Sequence, residues 1–191
     1  MFSEIKKISS LLLSVAFSSI GFIASITVTV LAAREVSSNP LFVGFPNAVG
    51  VGGAVLGTRM IYLISKTNSQ LNALAFTFLI GAFGGAIMFY SLIIDSFLLL
   101  LLGAFILGIG QSATLQTRYA ASFVAGTKFK ATALSLAVWF SVFGSVFGPR
   151  MVGSYSNFFE NIFNSDLIVG YVIAFVGMLF AAASLFTFTS K

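Results

Sequence analysis

The 191-residue chain has no cysteine, no histidine and only five acidic residues. Without cysteine there is no disulfide and no thiolate metal site. Without histidine there is no imidazole ligand, no imidazole base and no side chain that titrates unaided near neutral pH. The few carboxylates lie outside the interiors of the apolar runs, so paired acid–base chemistry has nothing to work with. These absences point away from an enzyme, and imply neither a metal nor any other cofactor. Charged residues make up 8% of the chain and prolines number three.

What the chain has in quantity is apolar surface: 58% hydrophobic residues, 23 phenylalanines and a mean hydropathy of +1.05. A soluble domain of this size needs a more polar exterior. A helix needs roughly 20 apolar residues to cross a hydrocarbon core about 30 Å thick. Six runs meet that length, at about 9–32, 41–64, 71–94, 97–117, 131–153 and 167–188. The short alternating strands of a membrane barrel are not seen. The expected fold is an all-α membrane protein, one domain of six transmembrane helices over residues 1–191, with the lipid bilayer as its first partner. Lys6 and Lys7 precede the first run, as in a signal peptide, but the run is too long for one and reads as a retained first helix.

The net charge of +5 reads as topology, with no nucleic-acid partner expected. With the amino terminus in the cytoplasm, Lys6, Lys7, Arg59, Lys66, Arg118, Lys128, Lys130 and Lys191 fall on or near the cytoplasmic side. Only Arg34 and Arg150 fall outside, together with Glu35, Asp95, Glu160 and Asp166. That asymmetry obeys the positive-inside rule and places both termini in the cytoplasm, in a multi-pass protein of the plasma membrane. Connections are short. Asp95-Ser96 reads as a tight turn, the fourth and fifth runs are joined by a basic loop with Gly126, Lys128 and Lys130, and the longest outer loop is expected from about Ser154 to Asp166.

One internal repeat stands out. Gly53-Ala-Val-Leu-Gly57-Thr-Arg59-Met60 in the second run matches Gly144-Ser-Val-Phe-Gly148-Pro-Arg150-Met151 in the fifth, 91 positions on. The two runs cross in opposite directions, so the repeat is inverted: two three-helix units, as in many transporter bundles. Glycine pairs four apart (Gly53/Gly57, Gly81/Gly85, Gly144/Gly148) allow close backbone approach.

Polar residues gather on faces. In the first run Ser14, Ser18, Gly21, Ser25 and Thr29 share a stripe about 80° wide at 100° per residue. The fourth carries Gln111, Thr114 and Arg118 on one arc, and the second aligns Asn47 with Gly50 and Ala54. Such groups need partners in hydrocarbon and should face inward. They either line a solute path or bond between helices and to their own preceding turn. Pro149 lies near the outer end of the fifth run, as a fixed bend or a pivot.

These motifs together resemble the amino-terminal half of a major facilitator superfamily transporter. Gly144-xxx-Gly148-Pro149-xxx-Gly153 is similar to the family's antiporter signature, Gly103-Ala-Phe-Ile-Leu-Gly108-Ile-Gly110-Gln111 to its fourth helix, and Leu115-Gln-Thr-Arg118-Tyr119-Ala-Ala to a branch of facilitator-type permeases. After the second run Gly57 and Lys66 fit the cytoplasmic gating motif, where Ile61 and Tyr62 replace its Asp-Arg pair. The resemblance implies transport of a small-molecule solute by alternating access, between this bundle and a second six-helix bundle, as a homodimer or with a complementary half. Ser18, Ser25, Gln111, Thr114 and Arg118 are the path candidates. Gly144, Gly148, Pro149 and Gly153 would shape packing and pivot, and Gly57 and Lys66 would be the remnant of a gate. The alternative is an accessory structural subunit of a larger membrane complex.

Overall fold

A computed structural model describes the backbone of residues 2–37, 39–163 and 165–189 and the side chains of 6–37, 39–163 and 165–187. The helices are α1 (Phe2–Val36), α2 (Phe45–Ser65), α3 (Gln70–Ile93), α4 (Phe97–Val124), α5 (Gly126–Phe163) and α6 (Ile168–Thr189), with a 3-10 turn at Pro40–Phe42 before α2. All six are long and apolar enough to cross a membrane. Their starts are chemically marked where polar residues occur: the Ser69 and Ser96 side chains accept from the amides of Asn72 and Leu99. Asp95 takes a left-handed φ of +51° and makes the tight α3–α4 turn.

Two expected loops are largely helical. α4 continues past residue 117 to Val124, and α5 starts at Gly126, so only Ala125 separates them; Gly126 has φ +71°, which its missing Cβ permits. The outer loop expected from Ser154 is α5 as far as Phe163. Apolarity marks the hydrocarbon-spanning part of a helix, whereas the helix itself continues until its backbone is broken.

The contacts reproduce the inverted repeat. α1 packs most on α6 and α4 most on α3; α5 leans on α1 as α2 leans on α4; α3 meets α6, and α1 meets α4, between the units. Exchanging the first three helices with the last three maps each of these contacts onto another or onto itself. The matched glycines do matched work. A Cβ on Gly53 would run into the Phe105 carbonyl and one on Gly57 into Ser112, both on α4. A Cβ on Gly144 would lie 2.6 Å from Ser19, and one on Gly148 3.1 Å from Ala24, both on α1. Tyr171, Phe78, Leu11, Met88 and Met178 are among the fully buried side chains of the core.

Burial is uneven. In the most apolar stretch of each helix, 17% of residues are buried in α2 and 22% in α5, against 50–56% in the other four. α1 and α4 therefore stand at the back of a face whose two edges, α2 and α5, are largely uncovered.

Candidate functional site

Two cavities open on this face. α1 and α6 run antiparallel, with Ser184 donating to the Ser10 carbonyl at 3.5 Å, so both termini lie at one end of the bundle. The cavity toward the far end, about 290 Å³, is lined by Ser25, Thr29, Pro46, Asn47 and Met88 among others. The cavity toward the terminal end, about 300 Å³, is lined by Ser19, Thr114, Arg118, Ser141 and Ser145. Phe22 and Gln111 line both.

The expected α1 stripe divides. Ser14 and Ser18 donate to the carbonyls of Leu11 and Val15 at 2.9 and 3.3 Å, are fully buried, and line neither cavity. Ser25 and Thr29 do line the far-end cavity, yet their hydroxyls also serve their own helix, at 2.8 Å to Phe22 and 2.7 Å to Ser25. Tyr171 of α6 donates to Thr29 at 3.5 Å and ties α1 to the core. Ser19, one position beyond Ser18, is the residue that opens into the terminal-end cavity.

On α4 the stripe holds together. Gln111 reaches both cavities, and Thr114 and Arg118 reach the terminal-end one. The Thr114 and Ser19 hydroxyls and the Arg118 Nε are buried with no hydrogen-bond partner. Each such group costs about 1–3 kcal/mol unless a ligand, a water or a neighbouring chain satisfies it. Gln116 and Ser165 also leave buried polar atoms unpaired, but they line neither cavity. Among the described residues Arg118 is the only charged one lining either cavity; the far-end acids Glu35, Asp95, Glu160 and Asp166 line neither.

Over most of its length the chain is similar to named transporters. It is 30% identical over 174 residues, 91% of the chain, to the uncharacterized MFS-type transporter YdeG of Bacillus subtilis (strain 168). It is 30% identical over 183 residues, 96% of the chain, to the uncharacterized MFS-type transporter YddS of the same organism. The chain resembles a six-helix half of a major facilitator superfamily transporter. The matched stretches span 40% and 42% of the two relatives' lengths. No family model matches the chain, and no solved structure matches it.

Against this facilitator pattern, the signature residues divide by role. Gly144 and Gly148 seat α5 on α1, whereas a Cβ on Gly153 would meet nothing within 4 Å. Pro149 is exposed inside a helix that continues on both sides. Gly57 is buried against α4, while Lys66 is exposed just past the end of α2, its ammonium 4.6 Å from the centre of the Tyr62 ring. Sequence reasoning missed Ser19, Phe22, Ser141 and Ser145. The two α5 serines stand four residues apart and could have been read as a polar stripe; nothing in the sequence singles out Phe22.

Proposed function

We propose that this six-helix unit is one half of a small-solute transporter that works by alternating access with a second six-helix bundle. The observation that carries the reading is the open face: two cavities that share Phe22 and Gln111 in their walls, flanked by the little-buried α2 and α5. The solute path runs past Ser25, Gln111, Thr114 and Arg118, with Ser19 added and Ser18 assigned to packing. The described lysines lie toward the terminal end and the described arginines divide evenly, Arg59 and Arg118 there and Arg34 and Arg150 toward the far end, so the basic excess makes the terminal end the cytoplasmic one in a plasma-membrane protein.

A second copy of the chain can supply the covering bundle. A two-fold axis along the membrane normal sets α2 of one copy beside α5 of the other. Val55 and Val146 are exposed on these helices, and the absence of native cysteine makes Val55→Cys with Val146→Cys a clean crosslinking pair. A disulfide between identical chains supports the homodimer. Monomeric protein at every such pair, or co-purification with a different six-helix chain, transfers the covering role to a complementary half.

The decisive experiment is flux into vesicles holding the purified assembly. Arg118→Ala and Gln111→Leu should lower flux while the assembly keeps its mass. A wild-type assembly that moves no solute, with those variants loosening a complex instead, would sink the transport reading. It would favour an accessory structural subunit, a role to which the uncharged Ile61-Tyr62 in the gating segment is suited.

A further inference from the structure

The cavity toward the terminal end has a chemical bias of its own. Its one charge is the Arg118 guanidinium, and no carboxylate among the described residues lines it. In a membrane-spanning helix an arginine without an acidic partner requires a compensating anion or a route to water. Its Nε is buried and meets no acceptor.

The hydroxyls around it supply a second, independent sign. Along α1 and α4, serines and threonines such as Ser14, Ser18, Thr29, Ser112 and Thr117 donate to carbonyls of their own helix at 2.7–3.3 Å. Ser19 and Thr114 do not. Each is 4% exposed, each is unpartnered, and both line the cavity that holds Arg118. Thr114 and Arg118 lie one turn apart on α4, with Ser19 presented across the cavity by α1. The α5 hydroxyls Ser141 and Ser145 spend their protons on Val138 and Val142 at 2.6 and 2.8 Å. Three of the unpartnered buried donors, on Ser19, Thr114 and Arg118, therefore converge on one place, while those on Gln116 and Ser165 lie elsewhere.

We propose that this cavity binds the singly charged oxyanion of a small solute, a carboxylate in the first instance. The guanidinium fork donates to the oxyanion, and the Ser19 and Thr114 hydroxyls complete its shell. One cation offsets one negative charge; a second negative charge would be left without a paired cation. The assignment rests on the transport reading for its biological role, but not for its chemistry.

The test is binding of benzoate to the full chain in phosphatidylcholine nanodiscs, with benzamide and phthalate as the neutral and doubly charged counterparts. Benzoate should bind at least about tenfold more tightly than benzamide, and phthalate no more tightly than benzoate. Arg118→Gln should erase the preference for the anion, and Arg118→Lys should recover only part of it. Ser19→Ala and Thr114→Val should each weaken benzoate by about fivefold or more. Neither hydroxyl has a hydrogen-bond partner among the described residues, so these two variants should keep the fold if Arg118→Gln does not. Equal affinity for benzoate and benzamide, or no binding of benzoate, acetate or nitrate, would overturn the proposal. So would loss of benzoate binding in phosphatidylglycerol discs, since that assigns the site to a lipid headgroup. The readout also separates the two readings. Arg118-dependent benzoate binding without vesicle flux removes transport and keeps the site; flux without anion binding does the reverse.

Discussion

In the first three helices the glycines of the repeat are Gly53 and Gly57, set against α4. In the last three they are Gly144 and Gly148, set against α1, while other glycines such as Gly84 and Gly108 also admit a neighbour. The packing is the same device used twice. The polar chemistry is not: α1 spends most of its hydroxyls on its own backbone, whereas α4 presents Gln111, Thr114 and Arg118 to open space. Symmetry is kept where backbones touch and dropped where a solute could touch. The repeat therefore belongs to architecture, and the departures from it mark the candidate site.

The largest effects should come from attacking the shared device. Gly53→Val or Gly144→Val forces a branched side chain onto a facing backbone and should cost more than about 3 kcal/mol, read as loss of folded protein in a denaturant or thermal series. Gly153→Val, in open space, should leave stability unchanged. If α5 tolerates valine at Gly144 while α2 rejects it at Gly53, the equivalence of the two halves breaks.

A smaller effect sharpens the chemical contrast. Gln111→Leu should lower flux by about tenfold with the assembly intact, while Ser18→Ala leaves flux unchanged, because the Ser18 hydroxyl is committed to Val15. Equal losses from both would return Ser18 to the solute path. Smallest is a gain: Thr114→Val replaces an unpaired buried hydroxyl with a methyl group and should raise fold stability by about 1 kcal/mol even as anion binding falls. A stability loss instead would show that Thr114 holds the fold.

The spans were legible because twenty apolar residues have few other uses, and the α4 stripe because Gln111, Thr114 and Arg118 recur at helical spacing. Helix ends were less so. Thr127-Lys128-Phe129-Lys130 is polar enough to pass for a loop, but a helix outside hydrocarbon needs no apolar face, and only the left-handed Gly126 breaks the backbone. The choice between Ser18 and Ser19 was not legible at all. α1 is buried on several sides, with Gly21 against Ala174 of α6 and Ser19 against Gly144 of α5, so a buried stripe does not say which neighbour it faces.

The 38 residues of α5 make a rod about 57 Å long at 1.5 Å per residue. A bilayer with its headgroups is about 40–45 Å thick, so such a rod must lean over or project from the surface. Its last turns carry Tyr155, Phe158 and Phe159, rings suited to grip the headgroup layer. Ser141 and Ser145 sit farther down the same rod, in the wall of the cavity around Arg118. A thinner bilayer would then favour a steeper lean of the rod, which ties the geometry of that wall to membrane thickness.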